Sequence, residues 1–363
     1  MEEIKDLMRT GRHESIKLYY YKKYNARFAC FEHSTKRGNL NKYQAKTCGG
    51  IRRHSSSMPE KEVFVDGMNL GRAMTFKNLA AQIPFGGCKV TLQVDELDLQ
   101  NLDLMGFIAY ATDQVRAVTA PDMNLPADIT DVILEEHLSS QYVGGKCSKT
   151  GTTGKPTAYG IFLSLKEAVR FKEGRTDLRG KSVLLIGLGA VGWNVGEYLL
   201  ADGANLVVCD INDERVNAFI REHSGFSVEK VSKGTALNEN VDIISPCAAG
   251  GVFDEETINR LKCKYIWGSA NNQLKATSKD EEIYLAKKIK EKGILYQIEW
   301  WHNSAGVICM AEEYLHDATQ EQVLRKIEEI IPPSTWENLM EADKKNITPT
   351  ENCYAKSENM IYG

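Results

Sequence analysis

The feature that most constrains the fold is a glycine-punctuated run at mid-chain, Val183-Leu-Leu-Ile-Gly187-Leu-Gly189-Ala190-Val191-Gly192, followed by Trp193-Asn-Val-Gly-Glu-Tyr-Leu-Leu. An apolar strand runs into Gly-x-Gly-x-x-Gly, which opens a helix. In such a unit Gly187 permits the tight turn, Gly189 lets the backbone approach a pyrophosphate, and Gly192 lets helix and strand pack closely. The helix N-terminus, with Ala190 and Val191 in its lead-in, faces the phosphates. A second strand, Asn205-Leu-Val-Val-Cys-Asp210, ends in an acid about 20 residues on, where a ribose 2′-hydroxyl is bound. The context predicts a dinucleotide site; a structural glycine turn in another α/β fold is the bland alternative. Asp210 accepts hydrogen bonds from a free ribose diol and repels a 2′-phosphate. Ile211-Asn-Asp213-Glu214 adds acid rather than an Arg, so NAD is the expected cofactor.

The rest of the chain is read around that unit. A length of 363 residues exceeds the ~100–200 of one domain, so two are expected. Residues 17–33 are aromatic-rich and loosely alternating, as one or two strands are. Residues 61–82 and 97–118 have helical spacing, and Ile83-Pro-Phe-Gly-Gly-Cys-Lys89 between them reads as a loop. The small polar stretch 143–156 marks a boundary. Helices near 157–172, 190–202 and 213–222 then alternate with strands near 182–187, 205–210, 241–246 and 264–268, which implies a parallel sheet covered on both faces. From about 310 the chain reads as helical, broken at Pro332-Pro333, with an irregular end from Pro349. The expected fold class is α/β in two domains, with an active-site cleft between them. An N-terminal substrate domain takes 1–148 and a Rossmann-type NAD domain 149–320, with helices of 321–363 packing back on the first.

Charge and cysteine usage exclude several roles. Lys plus Arg is 45 against Asp plus Glu 49, a net charge of −4, which offers no basic excess for nucleic acid. No apolar run approaches the ~20 residues of a membrane span, and the N-terminus lacks the basic and apolar regions of a signal peptide. Nine cysteines, scattered without a Cys-x-x-Cys pair, suit reduced thiols, so a cytoplasmic protein is expected. Cys48, Cys88 and Cys309 read as small hydrophobes rather than nucleophiles, and no metal is expected.

The N-terminal half carries a second constellation: Met74-Thr-Phe-Lys77, Gly86-Gly-Cys-Lys89 and Thr119-Ala-Pro-Asp122. A Lys in a cleft beside another cation has its pKa lowered and becomes a usable general base. Chemistry alone leaves two unrelated surface lysines equally open. However, Gly71-Arg-Ala-Met-Thr-Phe-Lys-Asn-Leu-Ala-Ala-Gln-Ile-Pro-Phe-Gly-Gly-Cys-Lys89 resembles the signature of the glutamate/leucine/phenylalanine/valine dehydrogenase superfamily. Matching pieces continue in order: Cys48-Gly-Gly-Ile-Arg52, Asp122, Pro156-Thr-Ala-Tyr-Gly160, the glycine turn, Pro246-Cys-Ala-Ala-Gly-Gly251, Gly268-Ser-Ala-Asn-Asn-Gln-Leu274 and Asn303-Ser-Ala-Gly306. Asp122-Met-Asn-Leu-Pro-Ala-Asp and Ser269-Ala-Asn-Asn-Gln-Leu look most like the tryptophan dehydrogenase branch.

The resemblance implies hydride transfer from the Cα of a hydrophobic or aromatic L-amino acid to NAD, then imine hydrolysis to a 2-oxo acid and ammonia. It implies that Lys77 and the Gly49–Gly50 backbone bind the α-carboxylate, that Lys89 activates the attacking water, and that Asp122 shuttles protons. Asn303 would fix the amine. Thr157, Cys247, Ala248, Ala249 and Asn271 would border the cofactor. Cys48 and Ala120 would leave room for a bulky side chain, with Trp300 and Trp301 either stacking on it or belonging to the core. A homo-oligomer is implied too, with Tyr19–Tyr21 at a subunit edge. The chain departs from the family pattern at Cys88, at Ser304-Ala305, at Glu299-Trp300-Trp301-His302 and in a longer loop over 34–47. A biosynthetic specialist acting on a non-standard amino or imino acid, or a non-catalytic NAD-binding regulator, are the other readings.

Overall fold

A computed structural model describes residues 2–38 and 45–363, so the middle of the long loop lies outside the described residues. The chain packs as two units, residues 1–153 with 306–323 and residues 154–305 with 324–363.

The first unit begins with helix α1 (Glu2–Thr10), strands β1 (Ser15–Tyr21), β2 (Ala26–Ser34), β3 (Thr47–Cys48) and β4 (Ile51–His54), then helix α2 (Glu60–Ala80). Strand β5 (Gly86–Gln93), helix α3 (Leu102–Val115), strand β6 (Ala117–Val118) and helix α4 (Asp128–Glu135) follow. The sheet order is β1-β2-β5-β3-β6, with β4 also on β5. Strand β5 is antiparallel to β2 and parallel to β3 and β4. Its residues obey the two-residue alternation of a strand. Cys88, Val90 and Leu92 enter the core with Leu104, Met105 and Ile108 of α3, while Lys89, Thr91 and Gln93 turn to the opposite face.

The loop expected over Ile83–Lys89 is therefore corrected: from Gly86 onward it is strand. Its glycines serve close packing rather than a turn. A Cβ on Gly87 would collide with the Thr75 backbone of α2, and one on Gly71 would stand 2.6 Å from the Phe31 carbonyl oxygen. Sheet and helix touch backbone to backbone.

The second unit holds α5 (Gly154–Glu173), β7 (Ser182–Ile186), α6 (Gly192–Ala201), β8 (Asn205–Cys209), α7 (Asp213–Glu222), β9 (Val228–Lys230), β10 (Ile243–Pro246), α8 (Glu255–Arg260) and β11 (Tyr265–Ile266). Then come α9 (Lys279–Glu291), β12 (Leu295–Tyr296) and α10 (Glu299–His302); α11 (Ala305–His316) returns to the first unit, and α12 (Gln320–Lys344), from residue 324 on, and α13 (Pro349–Tyr362) complete the second. Its sheet is wholly parallel in the order β12-β11-β10-β7-β8-β9. Both faces are apolar: Val183 and Leu185 pack with Leu165, Val195 and Leu199 on one side, Leu184 with Ile244, Ile258 and Ile289 on the other. A parallel sheet needs that double cover.

Three expectations about the C-terminal part are corrected. Helix α12 runs through Pro332 and Pro333 without ending. Two missing N–H donors weaken it, but Ile330, Ile331, Thr335 and Leu339 are buried, and their packing holds the helix together. Residues 349–362 form a helix, started by a capping box in which Thr348 and Glu351 satisfy each other's backbone N–H groups. Residues 324–363 belong with the second unit, where Trp336 meets Phe171 and Lys279 pairs with Glu358. Only 306–323 joins the first unit. There Glu313 of α11 accepts from the Gly144 N–H (3.1 Å) and the Thr150 hydroxyl, and Tyr314 meets Phe85 edge-on.

Candidate active site

In the first unit the site grows from a break in the strand path. Strand β3 pairs with Gly86–Gly87 and β4 with Val90–Gln93, so Gly49–Gly50 lies opposite Cys88–Lys89. Gly49 leaves no room for a side chain, since a Cβ there would collide with the Cys88 carbonyl. One on Gly50 would sit 3.3 Å from Asp122 Cβ and 3.6 Å from Lys89 Nζ. Asn78 clamps the end of α2 onto this break, donating to the Cys48 carbonyl (3.2 Å) and the Gly86 carbonyl (2.7 Å). That places its neighbour Lys77, half-buried in the last turn of α2, in the same region. Asp122 follows β6 and is anchored by its N–H to the Ile51 carbonyl (3.0 Å).

Lys89 donates to Asp122. Its side chain is only 7% exposed. Arg52 Nε donates to the same carboxylate oxygen (3.1 Å), while Arg52 Nη1 bridges both oxygens of Asp66 (3.1 and 3.2 Å). His54 Nε2 stands 3.3 Å from Asp66. Burial alone would raise the Asp122 carboxyl, but the charges of Lys89 and Arg52 outweigh it and hold the group well below the usual carboxylate range. The Asp66 carboxyl is likewise lowered against its burial by His54 and Arg52. Sequence reasoning assigned no role to Arg52, His54 or Asp66. One signal was available: Asp66 precedes Lys77 by eleven residues, which at about 100° per residue puts both on one face of α2.

Cys48 and Ala120 are buried beside this set, and burial, then the nearby Cys88, pushes the Cys48 thiol up, so it stays protonated.

In the second unit the glycine turn has the expected form. Gly187 adopts φ +97°, a conformation that costs other residues but not glycine. A Cβ on Gly192 would overlap the Gly187 carbonyl oxygen, so strand and helix meet there without a spacer. A Cβ on Gly189 would meet nothing within 4 Å. The turn thus presents open backbone at Gly189, with Ala190 exposed and Val191 half-buried beside it. Asp210, just past β8, accepts from the Leu188 N–H (2.6 Å) through one oxygen and from the Asn212 N–H (2.8 Å) through the other. Each oxygen keeps a lone pair for a further donor. Ile211 is 85% exposed beside it. Ala248 packs against Gly187, Cys247 donates its N–H to the Ile186 carbonyl (2.8 Å), and Ala249 is exposed. Thr157 lies half-buried in the first turn of α5.

Asn303 donates to the Ser269 carbonyl and to Asn271 Oδ1, both at 3.0 Å. Those bonds fix its amide, and its buried Oδ1 then has no hydrogen-bond partner among the described residues. Trp300 and Trp301 follow the core alternative. Trp301 Nε1 donates to the Ser334 carbonyl (3.2 Å), Trp300 meets Tyr354 of α13 edge-on, and both are under 7% exposed. Among the described residues no cluster of His, Cys, Asp and Glu could hold a metal ion, and no helix is long and apolar enough to cross a membrane.

Two family models match the chain: the Glu/Leu/Phe/Val dehydrogenase dimerisation domain over residues 33–138, and glutamate/leucine/phenylalanine/valine dehydrogenase over 208–361. A leucine dehydrogenase of Thermoactinomyces intermedius is 36% identical over 287 residues, 78% of this chain and 75% of the relative. A phenylalanine dehydrogenase of Lysinibacillus sphaericus is 33% identical over 309 residues, 83% and 78% of the two chains. The crystal structure of L-tryptophan dehydrogenase from Nostoc punctiforme superposes with a TM-score of 0.77 at 25% identity, covering 98% of both chains. A hetero-hexameric glutamate dehydrogenase from Thermus thermophilus shares the fold at 16% identity and a TM-score of 0.76.

Proposed function

Because the chain belongs to the glutamate/leucine/phenylalanine/valine dehydrogenase family, oxidoreductases acting on a CH–NH2 group, we propose that it catalyses NAD-dependent oxidative deamination of a hydrophobic L-amino acid, with the reductive amination as its reverse. The observation that carries this reading is the buried Lys89–Asp122 contact beside the Gly49–Gly50 break. A lysine nitrogen and a carboxylate within hydrogen-bond reach of each other form an acid–base couple. Lys77 and the Gly49–Gly50 backbone bind the substrate carboxylate. Lys89 first passes its proton to Asp122; as the neutral amine it then takes a proton from the water that attacks the imine, and Asp122 delivers the proton it received to the departing nitrogen. Asn303 Oδ1, an acceptor without a donor of its own, receives the amine N–H.

The residues of the second unit fit a dinucleotide. Gly189 offers open backbone to a pyrophosphate, Thr157 and Cys247–Ala249 border the nicotinamide, and the Asp210 carboxylate with Ile211 meets the adenosine end. NAD supplies the hydride acceptor when bound. Asp210, fixed by two backbone N–H groups, favours a ribose diol and opposes a 2′-phosphate, which selects NAD over NADP.

For the substrate, the small buried Cys48 and Ala120 suit a bulky apolar side chain. Trp300 and Trp301 are taken up by packing within the second unit, so the class proposed is hydrophobic, aliphatic or aromatic, rather than strictly aromatic. Among the described residues strand β1 is the end strand of its sheet, with Leu18 and Tyr20 more than half exposed, which suits assembly with further copies of this chain in a soluble cytoplasmic enzyme. The test is absorbance at 340 nm with NAD and a panel of the twenty amino acids. Turnover with Leu, Phe, Trp or Val is expected; glutamate as the best substrate, or no turnover with any, would refute the reading.

A further inference from the structure

A run of buried polar side chains crosses the second unit. Asn352 of α13 donates to Asn338 Oδ1 of α12 (2.9 Å), and Asn338 donates to Gln297 Oε1 (2.8 Å). Gln297 Nε2 faces His302 Nδ1 at 3.4 Å, and His302 Nε2 faces the Gly268 carbonyl at 3.2 Å. Gln297, His302, Asn338 and Asn352 are all fully buried. The direction of every bond is set from the ends. Asn338 Nδ2 also donates to the Pro349 carbonyl (3.1 Å), which can only accept, so its amide cannot reverse. Gln297 must then offer Oε1 to Asn338 and Nε2 to the imidazole. His302 Nδ1 is therefore the acceptor, and Nε2–H donates to Gly268, another group that only accepts. The ring is further held by stacking on Trp267, with centroids 4.5 Å apart and planes 17° apart.

This network ends on the segment that orients Asn303. His302 and Asn303 are consecutive, and they hold consecutive carbonyls, those of Gly268 and Ser269. A shift of the imidazole moves Gly268 and with it the two acceptors, Ser269 O and Asn271 Oδ1, that aim the Asn303 amide. We infer that His302 is a positioning residue for Asn303, tying the amine-binding carbonyl to helices α12 and α13 through Gln297 and Asn338. The inference rests on the dehydrogenase reading given above. It touches no part of the glycine turn and reaches the cofactor side only through Asn271, so its signature is a fault in amino-acid use that exceeds any change in cofactor binding.

His302→Phe keeps an aromatic face for Trp267 and removes both nitrogens. His302→Gln restores a donor at the reach of Nε2. The Phe variant should lose about 10-fold or more in kcat/KM for the amino acid, chiefly through KM, because a misplacement of about 1 Å can cost up to 10²-fold. Its affinity for NADH, titrated by fluorescence, should change far less than kcat/KM, and the Gln variant should recover most of the loss. Unchanged kcat/KM in the Phe variant, or equal losses in Phe and Gln, would overturn the inference. Should the Phe variant not fold, Gln297→Leu, which leaves the His302–Gly268 bond but frees the ring, is measured instead; failure of both to fold assigns the network to folding and overturns the inference as well. A wild-type protein without turnover on any amino acid refutes the dehydrogenase reading, whereas an active wild type with an unimpaired Phe variant refutes this inference alone.

Discussion

The two candidate sites, one in each unit, are built in opposite ways. In the first unit, Arg52, Asp66, Lys89 and Asp122 come from β4, α2, β5 and the segment after β6, and the chemistry lies in their charged tips. In the second, Gly187–Gly192 is one contiguous turn whose functional surface is backbone, with Asp210 as its single charge. A set of charges gathered from four elements is sensitive to what each side chain carries. A backbone turn is sensitive to shape, and to the presence of any side chain at all. The same conservative substitution should therefore act through chemistry in one unit and through space in the other.

The largest effect that would break this contrast is expected at Lys89. Lys89→Ala should lower kcat by ~10²–10⁴-fold, the usual contribution of a general acid–base group, while NADH affinity stays within error of wild type. A Lys89→Ala enzyme with near-normal kcat would remove the chemical half of the comparison. The glycines come next, and they sharpen it. Gly192→Ala forces a methyl onto the Gly187 carbonyl and should lower the melting temperature along with NAD affinity. Gly189→Ala meets no protein atom, so it should melt normally and lose NAD affinity alone. Equal melting losses in both would show that the Gly189 backbone is not the exposed surface.

Asp210→Ala is expected to be smaller still, about 10-fold in NAD affinity, with the preference over NADP narrowed. Because Asp210 also receives the Leu188 and Asn212 N–H groups, Asp210→Asn, which keeps an acceptor, should hold the turn better than Ala. A wild-type preference for NADP in steady-state kinetics would contradict the assignment.

The smallest effect concerns acid stability in the first unit. Burial, then the nearby Arg72, lowers His13 to about 4, and burial, then His13 and Arg72, lowers His33 to about 3. Both are neutral when folded, and the unfolded chain binds the extra protons below its ordinary His value of about 6.5. Their contribution to stability is complete above that value and declines as pH falls through about 4. Thermal melts should thus weaken progressively from pH 7 to 4, and His33→Phe should flatten the slope. An identical slope in that variant would exclude His33 as the cause.

How much of this could be read from sequence differs by unit for the same reason. A backbone turn is written in contiguous glycines, so β7, α6, β8 and Asp210 were legible from spacing alone. The first unit's strand β5 was not, because Gly86-Gly87 has the composition of a loop; its glycines answer to the Thr75 backbone, a neighbour no local pattern reveals. Lys77, Lys89 and Asp122 were found only through resemblance to a family. Arg52, His54 and Asp66 look like ordinary surface charges until the fold joins them. Pro332-Pro333 and the polar end of the chain misled for the converse reason: local signals for breaks were overruled by burial of Ile331, Leu339 and Tyr354.

One further consequence comes from α11. Thr150 and its partner Glu313 are 163 residues apart, and between them lies the whole parallel sheet of the second unit. A ribosome therefore releases the 141–150 segment long before the helix that seals it, and the nascent first unit must wait half-closed while the second is made. Domains that emerge complete can fold as they appear; this one is finished only when the later one is nearly done. Chains cut short before residue 305 should be trapped by chaperones as incomplete in their earliest-made part, the reverse of the usual order of vulnerability.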